Sequence, residues 1–357
     1  MRTWILVGLA LFAVACNGDK DADTDPNGEG DTDVDTDTDT DTDTDTDTDD
    51  FEWPALYTDY VFGETSYLHS LFLPDMDTQP CCRDWGAISK SPGQDDNALA
   101  VIAGAAGAFG LDLQATIDET VQDGGFVALL DHNDLPAADG DYHMAFFRGD
   151  FEGLTDWNSA STGAGTFMVD PLNFVDLTGV PRATFGTSNI TGNIVTASDG
   201  LFEIAMPLTP GSLLILPLQD VSLEGEITRT ADGVAIANGK LSGYVTVDDF
   251  YDSYNKVITD VCGCLGLAGD LFTDQGGGNW DGDCQARPED VCLLPDEDIC
   301  ITMAGNGIFG GEICAAIPLL MNGTPDIDLD NDPTTYEALS AGLRFQAEGG
   351  DILGILP

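Results

Sequence analysis

From Asp35 to Asp49 the chain alternates Asp and Thr without interruption, and between residues 19 and 50 the largest apolar side chain is Val34. Such a stretch has nothing to bury and repels itself, so it is expected to stay disordered and extended. Any folded body is therefore confined to Phe51–Pro357. The 34 residues between Cys16 and Phe51 form a linker that reaches roughly 110 to 120 Å when stretched and about 30 to 35 Å as a flexible coil.

Ahead of the linker, Met1-Arg2-Thr3 is followed by an uncharged run from Trp4 to Ala15 and then Cys16. A basic start, a short apolar run and a small residue before the cut are the marks of an export signal. The run is shorter than the roughly twenty residues of a membrane span. Ala13-Val14-Ala15-Cys16 resembles the lipobox of bacterial lipoproteins. The resemblance implies removal of residues 1–15, lipid on Cys16, and membrane attachment through that lipid. Asn17 is not the aspartate that holds such proteins at the inner membrane, so the outer membrane is the implied destination, on either face.

The chain carries 64 acidic and 11 basic residues, and 16 of the acidic ones lie in the linker. Setting aside Arg2 and Lys20 as well, the foldable part keeps 48 against 9, a balance of about −39. A surface of this sign repels nucleic acid, which needs clustered Lys and Arg. Carbohydrate, an apolar ligand or a basic protein is a compatible partner.

Hydropathy patterning points to a mainly β domain. Strands are expected at Tyr67 to Leu73, Phe126 to Leu130, Tyr142 to Phe147 and Leu339 to Ala347. A meander is expected over residues 189–247, with turns at Asp199-Gly200, Asp232-Gly233 and Asn238-Gly239. Helical spacing appears in Leu99, Ile102 and Ala106, in Leu113, Ile117 and Val121, and in Phe250, Tyr254, Val257, Ile258 and Val261. The expected architecture is an antiparallel β-sandwich or jelly-roll-like body with a few packed helices. A curved sheet wrapped on residues 97–122 is the alternative, and would offer an apolar groove.

Besides Cys16 there are eight cysteines: Cys81, Cys82, Cys262, Cys264, Cys284, Cys292, Cys300 and Cys314. An even number in an exported chain implies disulfides. Because adjacent cysteines close a tight ring, Cys81 and Cys82 are expected to pair elsewhere, with the disulfide-rich segment 262–314.

Asp326, Asp328, Asp330 and Asp332 stand at alternate positions, followed by Thr334 and, at the twelfth place, Glu337. This loop resembles the calcium loops of EF-hands and dockerins, which surround the ion from positions 1, 3, 5, 7, 9 and 12. The resemblance implies calcium as a cofactor, with Asp332 acting through its carbonyl. Pro318, Gly323 and Pro325 argue against an entering helix, so the likeness stops at the loop.

Catalytic motifs are absent from the sequence. His69, His132 and His143 fall in no recognisable zinc-protease or nucleophile pattern. As a whole, the lipobox, the Asp-Thr repeat and the β-rich remainder resemble uncharacterised surface lipoproteins of Gram-negative bacteria, a resemblance that carries no activity; a tethered binding or structural module is the first expectation. A polysaccharide hydrolase using a carboxylate pair, or a carrier of apolar ligands, are the competing expectations.

Overall fold

Apolar residues at every second place make strands wherever the chain can bury them, and most of this domain does so. The computed structural model describes residues 52–74, 81–108, 112–150, 165–209, 212–262, 272–274, 280–282, 321, 324–330, 332 and 335–357. The expected signal and linker, Cys16, Thr334 and the five cysteines from Cys264 to Cys314 lie outside them.

The chain opens with β1 (Glu64–Phe72), passes through α1 (Ala98–Ala108) and α2 (Leu113–Gln122), and returns in β2 (Val127–Asn133) and β3 (Gly140–Asp150). Short β4 (Gly165–Val169), β5 (Ala183–Thr184) and β6 (Thr187–Thr191) lead into the long β7 (Ile194–Thr209), β8 (Ser212–Thr230) and β9 (Gly233–Thr246). After α3 (Val247–Cys262) and the small pair β10 (Phe272–Asp274) and β11 (Trp280–Gly282), the chain ends in β12 (Ala338–Ile355).

Eight strands close on themselves. β1 pairs β2, β2 pairs β3, β3 pairs β6, and β6 to β9 follow in order. β9 then pairs β12, and β12 pairs β1, every contact being antiparallel. The mainly β expectation with a few packed helices holds. The two facing sheets of a sandwich or jelly roll give way to a ring, because the first and last strands hydrogen-bond to each other.

One continuous core fills the ring. Leu68, Leu130, Met144, Ile190, Ile204, Leu216, Ile236 and Leu343, one from each ring strand, share a cluster with Leu99, Ile117, Val121 and Tyr251 of the helices. Helix α2 packs against both β1 and β7, which are opposite each other in the ring, so it spans one mouth. Gln114 sews it to the end of β1, donating to the Leu71 carbonyl at 3.0 Å and accepting from Leu73 N at 2.8 Å. Asp112 caps the helix by accepting from Ala115 N. At α3 the Thr246 hydroxyl caps the helix by accepting from Asp249 N at 3.0 Å, and it donates to the Asp249 carboxylate at 2.7 Å.

A second cluster lies on the outer face of β1 to β3. There Tyr67, Leu129 and Phe147 are covered by Phe167 of β4, by Phe174 and by Tyr60. β2 is consequently buried on both faces.

Two of the three expected turns are bulges. β7 runs through Asp199-Gly200 and β9 through Asn238-Gly239, and Asp199 and Asn238 have left-handed φ of 53° and 52° beside shifts in register. Asp-Gly and Asn-Gly suit a bulge for the reason they suit a tight turn: both tolerate positive φ. The hairpin into β7 turns at Gly192-Asn193 instead, with φ 57° and 68°. Asp232-Gly233 does turn the chain. Gly233 has φ +123°, and an added Cβ would press on the Thr65 carbonyl and stand 2.9 Å from the Gly350 oxygen. Gly233→Ala is therefore expected to destabilise the domain by about 3 kcal/mol, seen as a lower urea midpoint at unchanged slope.

Cys81 and Cys82 correct the pairing expectation. They are joined to each other, across a cis peptide bond that brings their Cα atoms to 2.9 Å. Asn97 holds this corner against β12, donating to the Cys81 carbonyl at 3.3 Å and the Gly342 carbonyl at 2.7 Å. Cys262 closes α3.

Candidate functional site

The acidic loop 326–337 returns on itself immediately before β12. Ile327, fully buried, bridges Ala338 on one side and Ser89 on the other. Asp328 N donates to the Ile88 carbonyl at 2.8 Å and Lys90 N to the Asp326 carbonyl at 2.9 Å, so segment 88–90 fixes the outer rim of the loop. Beneath it Trp85 packs with Ile327 and Ala338, and its ring is covered by the Arg83 guanidinium at 3.8 Å.

This frame brings three of the six expected ligands together. One carboxylate oxygen each from Asp328, Asp330 and Glu337 lie within 4.8 Å of one another. Two oxygens bound to a calcium ion at 2.3 to 2.6 Å cannot be further apart than about 5 Å, so the spacing suits one hard cation. Oxygen-only donors disfavour zinc. Asp328 is only 9 % exposed, and its Oδ1 is buried without a hydrogen-bond partner among the described residues. An ionised oxygen taken out of water and left unpaired is costly. A cation is the species that would relieve it.

The other expected ligands behave differently. Asp326 turns into the sheet, where its carboxylate accepts from Ser340 N at 2.8 Å and the Ser340 hydroxyl at 2.5 Å. Burial raises its pKa, against the lowering effect of those two bonds. The Asp332 carbonyl accepts from Thr335 N at 3.0 Å, and Asp332 N donates to the Asp330 carboxylate at 2.8 Å. Glu337 is steadied by Leu329 N, which donates to its Oε2 at 2.9 Å.

Two buried polar groups flank each other on β2, and neither was visible in the sequence because both interrupt apolar runs. On the inner face, His132 Nε2 lies 2.8 Å from Ser66 Oγ, and His132 Nδ1 lies 3.1 Å from the Tyr142 hydroxyl. The pair has the residue types of a nucleophile and its base. However, Ser66 donates its proton to the Val234 carbonyl at 2.7 Å, so Nε2 must carry the imidazole proton and donate to Ser66. Both side chains are buried, and desolvation pushes His132 down to about 3. This is a neutral structural link between strands.

On the outer face, Asp131 is fully buried and accepts from Tyr60 Oη at 2.9 Å, Gly63 N at 2.7 Å and Asn133 Nδ2 at 2.7 Å. Desolvation pushes Asp131 up to about 7 even though all three donors favour the ionised form. Tyr60 is raised in turn by burial and by the Asp131 charge. Above these groups opens a cleft lined by Trp53, Tyr60 and Phe62 with Glu52, Asn133 and Asp134. Five aromatic residues among Phe51 to Phe62 were the sequence signal for it.

No family model, no curated protein and no solved structure matches this chain. Among the described residues no helix is long and apolar enough to cross a membrane.

Proposed function

We propose that the chain is an outer-membrane lipoprotein, anchored through Cys16, whose linker holds out a calcium-stabilised β-domain that works as a binding or structural module. The observation that carries the calcium part is the buried Asp328 oxygen, without a hydrogen-bond partner among the described residues, beside Asp330 and Glu337. The lipobox-like Ala13 to Cys16 and the Asp-Thr linker carry the anchoring part. A carrier of apolar ligands loses support because side chains from all eight ring strands fill the described interior. A hydrolase needs a reachable carboxylic acid with a raised pKa. Beside the cleft the raised carboxyl is that of Asp131, which is fully buried and so does not meet the first condition.

The anchoring part is tested on the exported protein. Mass spectrometry of its N-terminal peptide is expected to find an acylated Cys16, and Cys16→Ala is expected to move the chain from the membrane to the soluble fraction. An intact Met1 terminus or an unmodified Cys16 in the parent overturns it.

A further inference from the structure

The cleft above Asp131 has a volume of about 340 Å³, at the small end of ligand sites and suited to a group the size of one side chain. Its aromatic wall is ordered. Trp53 stacks on Tyr60 with ring centres 5.9 Å apart, and Phe62 leans on Tyr60 at 5.0 Å and on Phe147 at 5.6 Å. Trp53 and Phe62 are only partly buried, so each keeps surface toward the opening.

The hydrogen-bond donors of the floor face away from the opening. Tyr60 Oη, Gly63 N and Asn133 Nδ2 all donate to Asp131, and Asn133 Nδ2 also reaches Tyr60 Oη at 2.7 Å. The charged side chains that line the cleft are the exposed carboxylates of Glu52 and Asp134, beside its aromatic surface and with no Lys or Arg. A saccharide asks for donors to its oxygens as well as acceptors for its hydroxyls. An anion meets like charge. The complement of rings and acceptors is a group that is positive, apolar on its flanks and only donates. The foldable part's balance of about −39 raises the local concentration of such a group.

We propose that the cleft between residues 52–63 and 133–134 binds an organic cation, an alkylammonium or guanidinium group, held by Trp53 and Phe62 and neutralised by Glu52 and Asp134. This deepens the reading of the chain as a binding module and rests on it.

The test is calorimetric titration of the full-length chain in non-ionic detergent, with calcium in excess to occupy the loop at 328–337. The titrants are tetramethylammonium chloride, a short peptide bearing Lys and Arg, and maltose. Saturable binding of a cation is expected, and of maltose none. Trp53→Ala is expected to weaken cation binding about tenfold. The double variant Glu52→Gln, Asp134→Asn should weaken it at least as much with an unchanged unfolding midpoint, since both side chains are exposed. Tighter binding of the peptide than of tetramethylammonium assigns the cation to a protein partner, and the reverse order assigns it to a small molecule; either supports the proposal. It is overturned by no saturable binding of either cation, by full affinity in the double variant, or by binding of maltose in their place. Cation binding in a protein whose stability ignores calcium would sink the calcium reading alone, and calcium stabilisation without cation binding would sink this one alone.

Discussion

Calcium at a hundredfold excess over its Kd is expected to stabilise the domain by about 2.7 kcal/mol, raising the thermal midpoint by roughly 4 °C. Asp328→Asn should abolish that rise and also reverse a sign. Without calcium the parent holds a buried carboxylate oxygen with no partner among the described residues, so the neutral amide should be more stable than the parent by about 1 kcal/mol. With calcium present the order inverts. Asp326→Asn serves as the contrast. Its carboxylate is committed to Ser340, so the variant should lose the same stability with and without the ion. Equal midpoints for the parent across a calcium titration to ten millimolar would remove the metal from the account.

Acid is expected to have little net effect on the parent through β2 between about pH 4 and 6.5, and large opposite effects on two neighbouring variants. Asp131 has a folded pKa raised to about 7, so its contribution is fully present below the unfolded value near 4 and is lost as pH rises through 7. His132 has a folded pKa lowered to about 3. Its contribution is fully present above the unfolded value near 6.5 and is lost as pH falls through 3. The two slopes have opposite signs over the shared window, each up to about 1.4 kcal/mol per pH unit. Urea unfolding across this range is the measurement. Relative to the parent, Asp131→Asn should lose stability as the medium is acidified, whereas His132→Gln should gain it. Parallel pH profiles for all three proteins would show that neither residue stays buried in its described state of charge.

Much of the local structure could be read from the residues. The three helical stripes and the strands β1, β2, β3 and β12 follow from apolar spacing. Leu99, Ile117 and Phe250 are buried as their spacing predicts. What spacing could not reveal was which strands meet. The pairing of β1 with β12 joins Thr65 to Gly350, and no local pattern records a contact at that distance. Asp199-Gly200 and Asn238-Gly239 misled because positive φ serves a turn and a bulge equally; tertiary pairing decides between them. The acidic loop was legible as a set of carboxylates, yet Asp326 and Asp328 share a spacing and point to different surroundings. Ser340, fourteen places beyond Asp326, draws that carboxylate into the sheet. Asp131 and His132 were silent because a charged or polar residue inside an apolar run reads as exposed until its partners, Tyr60 and Ser66, are known.

The closure of the ring also sets an order of events. β12 follows the seven other ring strands in the chain and hydrogen-bonds to β1, β4 and β9, so three partners wait for it to be made. Until then β1 and β9 present open edges, and the entropy of joining such distant segments is spent before any contact repays it. A growing chain of this design cannot close its ring ahead of β12. The ring stays open along β1 and β9 until that strand arrives.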